Sequence, residues 1–221
     1  MRGELSSARF SKRHPLDWYV DESWCAEQLF NALGGFEWEW ERDLAIWDPC
    51  AGLGNTLDVF AGNGFRCYAS DLVDNLDRAA FTGEGYAQPK FFLGDSLEQW
   101  NAPFRVGSIV FNPPYSYRKG IAEHCCRRAL ILAQKRVCAL LPNKWLASQA
   151  RYHLFTQYPP AMVLHLTQRP SMPPGDRIAL MGNRAFRGGM IDYCWIVWDV
   201  TEATAPGETR TLWLPPLGGG Q

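Results

Sequence analysis

The chain has 221 residues, 47% of them hydrophobic, which suffices for one substantial core and fits a single α/β domain. No apolar run approaches the length needed to cross a bilayer, and Met1-Arg2-Gly3-Glu4-Leu5-Ser6-Ser7 lacks the apolar stretch of a secretory signal, so a cytoplasmic protein is expected. The net charge of −1 excludes a uniformly basic surface, but residues 1–100 carry 8 Lys and Arg against 17 Asp and Glu, whereas residues 101–221 carry 14 against 6. That asymmetry suits a polyanion approaching one side, or equally helix surfaces that simply differ in charge. Seven cysteines, an odd number without a Cys-x-x-Cys pair, read as reduced, buried thiols. The four histidines lack ligand spacing, so no metal site is expected.

Short apolar runs alternate with longer amphipathic stretches, the pattern of β-α-β units and a mostly parallel sheet. In chain order, a helix is expected over Glu22–Leu33, capped by Asp21 or Ser23, then a strand over Leu44–Asp48 and a helix over Thr56–Gly62. A strand over Arg66–Asp71 leads to a helix over Leu72–Ala80, followed by strands over Lys90–Leu93 and Ser108–Asn112. Next come a helix over Lys119–Gln134, a strand over Arg136–Leu141, a helix over Lys144–Gln157, and strands over Met162–Leu166 and Tyr193–Val200. Between those last two strands, Gln168–Met190 is rich in Pro, Gly and Arg and reads as a long excursion, a kind of loop that is usually functional or mobile. Residues 1–200 thus form one domain, and residues 201–221 a peripheral tail with a short strand at Thr211–Leu214.

The most informative segment is Asn112-Pro113-Pro114-Tyr115, which ends an apolar strand. The prolines supply no backbone donors, Asn112 adds a side-chain acceptor and Tyr115 a stacking face, a combination suited to an amine on a flat group. Asp48-Pro49-Cys50-Ala51-Gly52-Leu53-Gly54 follows the first strand and precedes a helix, so its glycines let backbone approach a ligand. It matches neither a dinucleotide fingerprint nor a phosphate loop. Asp71, ending the second strand beside Leu72, is placed to accept both hydroxyls of a ribose. Asp95, after the third strand and beside Ser96, is placed to accept from an exocyclic amine of adenine. A lone Asp in a loop is more often a turn former, but three in strand order with the glycine turn point to a nucleoside site.

In that order and on successive strands, these motifs resemble the class I S-adenosylmethionine-dependent methyltransferases that act on amines, most like small phage-type DNA N6-adenine methyltransferases. The resemblance spans roughly Pro15 to Val200. His14-Pro15-Leu16-Asp17-Trp18-Tyr19-Val20 resembles the family's N-terminal motif near the cofactor, with His-Pro in place of Thr-Pro. The resemblance implies a doubly wound, Rossmann-like, seven-stranded, mostly parallel sheet with the last strand antiparallel. It implies S-adenosyl-L-methionine as cofactor, held by Trp18, Tyr19, Asp48, Cys50, Ala51, Gly52, Gly54, Asp71, Leu72, Asp95, Ser96 and Asn112. Asn112, Pro113, Pro114 and Tyr115 would form the catalytic turn, with DNA adenine as substrate and Tyr115 stacked on the extruded base. Pro49-Cys50 resembles the nucleophile pair of cytosine-carbon methyltransferases, but it lies in the cofactor turn, so Cys50 reads as a packing residue.

Arg118, Lys119, Arg127, Arg128, Lys144 and Arg151 are candidate phosphate contacts, although a charge on a helix is usually just solvated. On the excursion, Arg169, Arg177, Arg184 and Arg187 face one acid, Asp176, and Arg169 and Arg184 are the preferred substrate contacts with Lys119. Trp145 borders either the base pocket or a packed helix. Sequence specificity is expected from the excursion or from a second subunit in a homodimer, or else to be weak. Three other readings compete: an RNA adenine methyltransferase, a glutamine-amide methyltransferase and a non-catalytic nucleic-acid-binding module. The amide enzymes usually carry a helical N-terminal domain, for which residues 1–21 are too short.

Overall fold

The computed structural model describes residues 14–83, 85–95, 105–115 and 117–217. Eight strands form one sheet in the order β3-β2-β1-β4-β5-β7-β6-β8. They are β1 (Ala45–Asp48), β2 (Cys67–Asp71), β3 (Lys90–Leu93), β4 (Val106–Phe111), β5 (Arg136–Pro142), β6 (Met162–Leu166), β7 (Tyr193–Asp199) and β8 (Arg210–Leu214). The α-helices are α1 (Trp24–Ala32), α2 (Glu37–Glu41), α3 (Asn55–Gly62), α4 (Ile121–Leu132), α5 (Tyr152–Gln157) and α6 (Gly175–Met181).

Strand order reverses between β1 and β4, so the chain ends of these two parallel strands open onto the crevice where ligands of wound sheets bind. Every residue of β1 and β4 is buried, as expected for strands covered on both faces. Side chains alternate between the two faces with period two. Ile46, Val110, Leu140 and Trp195 join Leu29 of α1 and Phe60 of α3 in one apolar cluster. Trp47, Ile109, Phe111 and Ile196 join Cys126 and Ala129 of α4 and Leu154 of α5 in the other. Three buried indoles have their N–H groups paired: Trp47 donates to Ser70 Oγ, Trp195 to the Cys25 carbonyl and Trp198 to the Tyr158 carbonyl.

The structure corrects the expected sheet in its strand count. It has eight strands rather than seven, because Arg210–Leu214 pairs in parallel with β6. The expected antiparallel strand is present as β7, which lies between β5 and β6.

Two expected helices also differ. Leu72–Ala80 is a series of turns: Asp77 N–H, which a helix would give to Val73, donates to the Leu53 carbonyl at 3.1 Å, fastening the segment to the turn after β1. Lys144–Gln157 is broken at Ser148, whose backbone is extended (φ −158°). Only its last turns form α5, preceded by 3₁₀ turns at Asn143–Trp145 and Gln149–Arg151. The excursion at 168–190 carries α6 and a 3₁₀ turn at Gly182–Ala185.

Candidate active site

Two cavities lie beside one another at the carboxyl ends of the strands. The first, about 390 Å³, is bounded by the turn after β1, the end of β2, the residues after β3 and the segment preceding α1. The second, about 650 Å³, lies among Tyr115, the end of β5, Trp145 and the excursion. Tyr19 lines both. The end of β4 stands at their junction, for Asn112 and Pro114 line the first cavity and Tyr115 the second.

The turn after β1 is held by carboxylates acting on its backbone. Asp48 Oδ1 accepts from Cys50 N–H at 2.9 Å, and Asp71 accepts from Gly52 N–H at 2.8 Å and from Leu72 N–H at 2.7 Å. Gly52 and Gly54 take left-handed backbone (φ 50° and 96°), which permits the tight turn into α3. Of the residues that the resemblance assigns to the cofactor, Cys50, Ala51, Gly52, Asp71, Leu72 and Asp95 line the first cavity. Asp48 and Gly54 lie behind that lining, where they shape the turn. Ser96 lies outside the described residues.

Asp48 is only 2% exposed, and burial pushes its carboxyl well above the usual carboxylate range, helped by the nearby charges of Asp21 and Asp71. The folded state therefore binds this proton more tightly than the unfolded chain. Stability falls as pH rises from the ordinary carboxylate range through the raised value, and the penalty is complete above it. Asp48→Asn keeps the acceptor for Cys50 N–H and removes that penalty. Its melting temperature is expected to exceed wild type at pH 7, the gain fading towards about pH 4. An equal difference at both pH values would contradict this account.

Trp18 occupies a slot between two glycines. A Cβ added to Gly52 would stand 3.2 Å from Trp18 Nε1, and one added to Gly175 would stand 2.1 Å from Trp18 Cε2. The indole thus links the turn after β1 to α6 of the excursion. Backbone pairing completes the link, as Val20 N–H donates to the Pro173 carbonyl and Gly175 N–H to the Trp18 carbonyl. The Trp18 indole N–H is buried and has no hydrogen-bond partner among the described residues, so a polar ligand atom in this cavity would complete it.

Asn112 is set by Asp21 from the segment before α1 and by Tyr115 of its own turn. Its Nδ2 faces Asp21 Oδ1 at 3.5 Å, and Asp21 Oδ2 accepts from Thr56 Oγ1 at 3.0 Å. Its Oδ1 accepts from the Tyr115 hydroxyl, which also lies 3.1 Å from the Leu140 carbonyl. Burial raises both the Asp21 carboxyl and the Tyr115 hydroxyl above their usual values. Tyr115 stands 6.2 Å from Tyr193, centroid to centroid. Asp21 is the residue that sequence reasoning missed in this role, because an acid just before a helix is indistinguishable from a cap. Asp17 was also missed; its left-handed backbone (φ 53°) presents Oδ2 to Tyr117 N–H at 2.7 Å.

Charge separates the cavities. Among the described residues, the first is lined by Asp17, Asp21, Asp71, Asp95 and Asp176 and by no Lys or Arg. The second is lined by Lys144, Arg151, Arg177 and Arg187 and by no Asp or Glu. Trp145 lines the second cavity with the Arg151 guanidinium 4.6 Å from its ring. The preferred contacts Lys119, Arg169 and Arg184 line neither cavity: Lys119 is exposed, Arg169 pairs with Asp192 at 2.7 Å, and the Arg184 carbonyl accepts from Arg187 Nε.

No family model matches the chain, and no curated protein matches it in sequence. Solved structures do. A proposed class I S-adenosylmethionine-dependent methyltransferase from Listeria monocytogenes superposes with a TM-score of 0.56 at 14% identity, over 86% of this chain and 62% of that one. This chain therefore spans less than two thirds of that protein. A proposed RNA methyltransferase from Pyrococcus horikoshii gives a TM-score of 0.60 at 17% identity, over 89% and 92% of the two chains. The protein of a DrdV–DNA complex gives 0.60 at 11% identity, over 91% of this chain and 28% of that one. Another structure of this fold holds S-adenosylmethionine. The chain has the fold of the class I S-adenosylmethionine-dependent methyltransferases.

Proposed function

We propose that the protein transfers a methyl group from S-adenosylmethionine to the exocyclic N6 amine of adenine in DNA. The observation that carries this reading is the position of Asn112 at the junction of an acid-lined cavity and a cation-lined one. The first suits a nucleoside bearing a sulfonium cation. The second suits a base attached to a phosphate chain.

S-adenosylmethionine supplies an electrophilic methyl group; the chain supplies position. Asp71 would accept from the ribose hydroxyls and Asp95 from the adenine amine of the cofactor, with Trp18 and Tyr19 closing over it. An aromatic amine is a poor nucleophile because its lone pair is delocalised into the ring. Asn112 Oδ1 and the Pro113 carbonyl, each accepting one amine proton, favour pyramidal nitrogen and localise that pair. Asp21 holds Asn112 Nδ2 and so aims Oδ1. The Tyr115 hydroxyl has one proton and two acceptors within reach, so it passes to the Leu140 carbonyl when an amine takes Asn112 Oδ1. The aligned nitrogen would attack the methyl carbon in line as the carbon–sulfur bond breaks and the neutral thioether leaves, and the methylated, cationic amine would then lose a proton to solvent, so no strong base is needed beforehand.

Purified protein given tritiated S-adenosylmethionine should label adenine in unmethylated duplex DNA. RNA and a glutamine-bearing release factor serve as the competing acceptors. Label appearing only in RNA would transfer the reading to an RNA adenine enzyme, for which the Pyrococcus structure is a precedent of fold. No cofactor binding in calorimetry would remove every methyltransferase reading.

A further inference from the structure

Met190 is 89% exposed, the highest value among the large apolar side chains described, and it stands with Ile191 on the wall of the second cavity. Singly exposed apolar residues are ordinary and need no explanation. This one differs in its mount and in its surroundings.

The mount is a strap tied down on both sides of Met190. Before it, Arg187 N–H donates to Ser171 Oγ at 3.0 Å, and Ser171 N–H donates to Glu22 Oε2 at 2.7 Å. Gly189 lies so close to the opposite arm of the excursion that an added Cβ would stand 2.2 Å from the Pro170 carbonyl oxygen. After it, the Asp192 carbonyl accepts from Asn143 N–H at 2.8 Å, and the Asp192 carboxylate pairs with Arg169 at 2.7 Å. A long apolar side chain thus projects into solvent from a fixed base.

The surroundings are cationic. Lys144, Arg151, Arg177 and Arg187 line the adjoining cavity, and among the described residues no Asp or Glu lines it. An apolar finger on the rim of a cation-lined cavity is complementary to a base stack flanked by phosphates. Apolar side chains wedge between base steps in this way, methionine, leucine and isoleucine among them. The cavity beside it, walled by Tyr115, Tyr193 and Trp145, offers room for a base drawn out of that stack.

We propose that Met190 enters the base stack of a double-stranded substrate and fills the gap left when the target adenine swings into the cavity beside Tyr115. The inference rests on the duplex DNA reading of the preceding section. It assigns Ile191, 46% exposed and next in the chain, to the flank of the same gap.

The test compares Met190→Ala, and Met190→Leu as the conservative variant, with wild type on the duplex bearing the mapped methylation site and on its single strand. A wedge matters only where there is a stack to open. The alanine variant should therefore lose at least about tenfold more kcat/KM on the duplex than on the single strand, and the leucine variant should recover most of it. With 2-aminopurine at the target position, wild-type binding should raise fluorescence as the base leaves the stack, and Met190→Ala should blunt the rise. Equal losses on the two substrates, or an undiminished fluorescence rise, would overturn the inference while leaving DNA methylation standing. A wild-type enzyme inactive on duplex DNA would instead overturn the reading beneath it, and this inference with it.

Discussion

Asn112→Ala is expected to lower methyl transfer to DNA by about two to three orders of magnitude, the loss typical of removing one group that stabilises a developing charge. Cofactor binding should persist, because Asp71, Asp95 and the turn after β1 stay in place around the first cavity. Tritium transfer reads the first quantity and calorimetric titration the second. The size of the effect follows from the partners of the side chain. Asp21 holds one end of the amide and the Tyr115 hydroxyl reaches the other, so alanine removes an acceptor and also the group that joins the two cavities. Retained activity in this variant would eliminate the amine-activation mechanism.

The second large effect belongs to Asp71. Its carboxylate accepts from two backbone N–H groups, of Gly52 and Leu72, and under the proposed function also from the ribose of the cofactor. Asp71→Ala strands both donors and removes the ribose contact, so affinity for S-adenosylmethionine should fall about 10- to 100-fold. Burial raises this carboxyl, opposed by the backbone hydrogen bonds it accepts. Wild-type affinity should accordingly decline on acidification at a higher pH than an ordinary aspartate would produce. Unchanged affinity in Asp71→Ala would leave it as a turn-former alone.

Much of this arrangement was legible because strand ends carry their chemistry at fixed positions. Asp71 closes β2, Asp95 follows β3 and Asn112 follows β4, and the short apolar runs located each strand to within a few residues. The failures share a cause. At Leu72–Ala80 the spacing of Leu72, Leu76 and Ala80 imitates a helix, but Leu76 packs over the turn after β1 and the backbone of Asp77 bonds to Leu53. A partner distant in sequence decided the conformation. At Lys144–Gln157, Arg151 turns back to cover the Trp145 ring and to donate to its carbonyl, ending the first turn early.

The arginines show the same limit from the side of function. Composition picked out the excursion as basic, but which cations line the cavity depends on ion pairs across the fold. Asp192, on the approach to β7, engages Arg169 and leaves the cavity to Arg177 and Arg187. Asp21 was hidden for a similar reason, since its partners Thr56 and Asn112 come from α3 and the end of β4. The eighth strand lies beyond the resemblance altogether, and only its pairing with β6 brings it into the sheet.

The segment carrying Trp18 and Tyr19 has a thermodynamic consequence. Tyr19 belongs to the walls of both cavities, and Trp18 is inserted between the turn after β1 and α6. A ligand that settles this segment from one side changes the surface presented to a ligand on the other. Under the proposed function, linkage then requires reciprocity: the factor by which bound cofactor tightens or loosens DNA must equal the factor by which bound DNA tightens or loosens cofactor. Any coupling between the two ligands would then run through Trp18 and Tyr19, and substitutions there are expected to change both factors together.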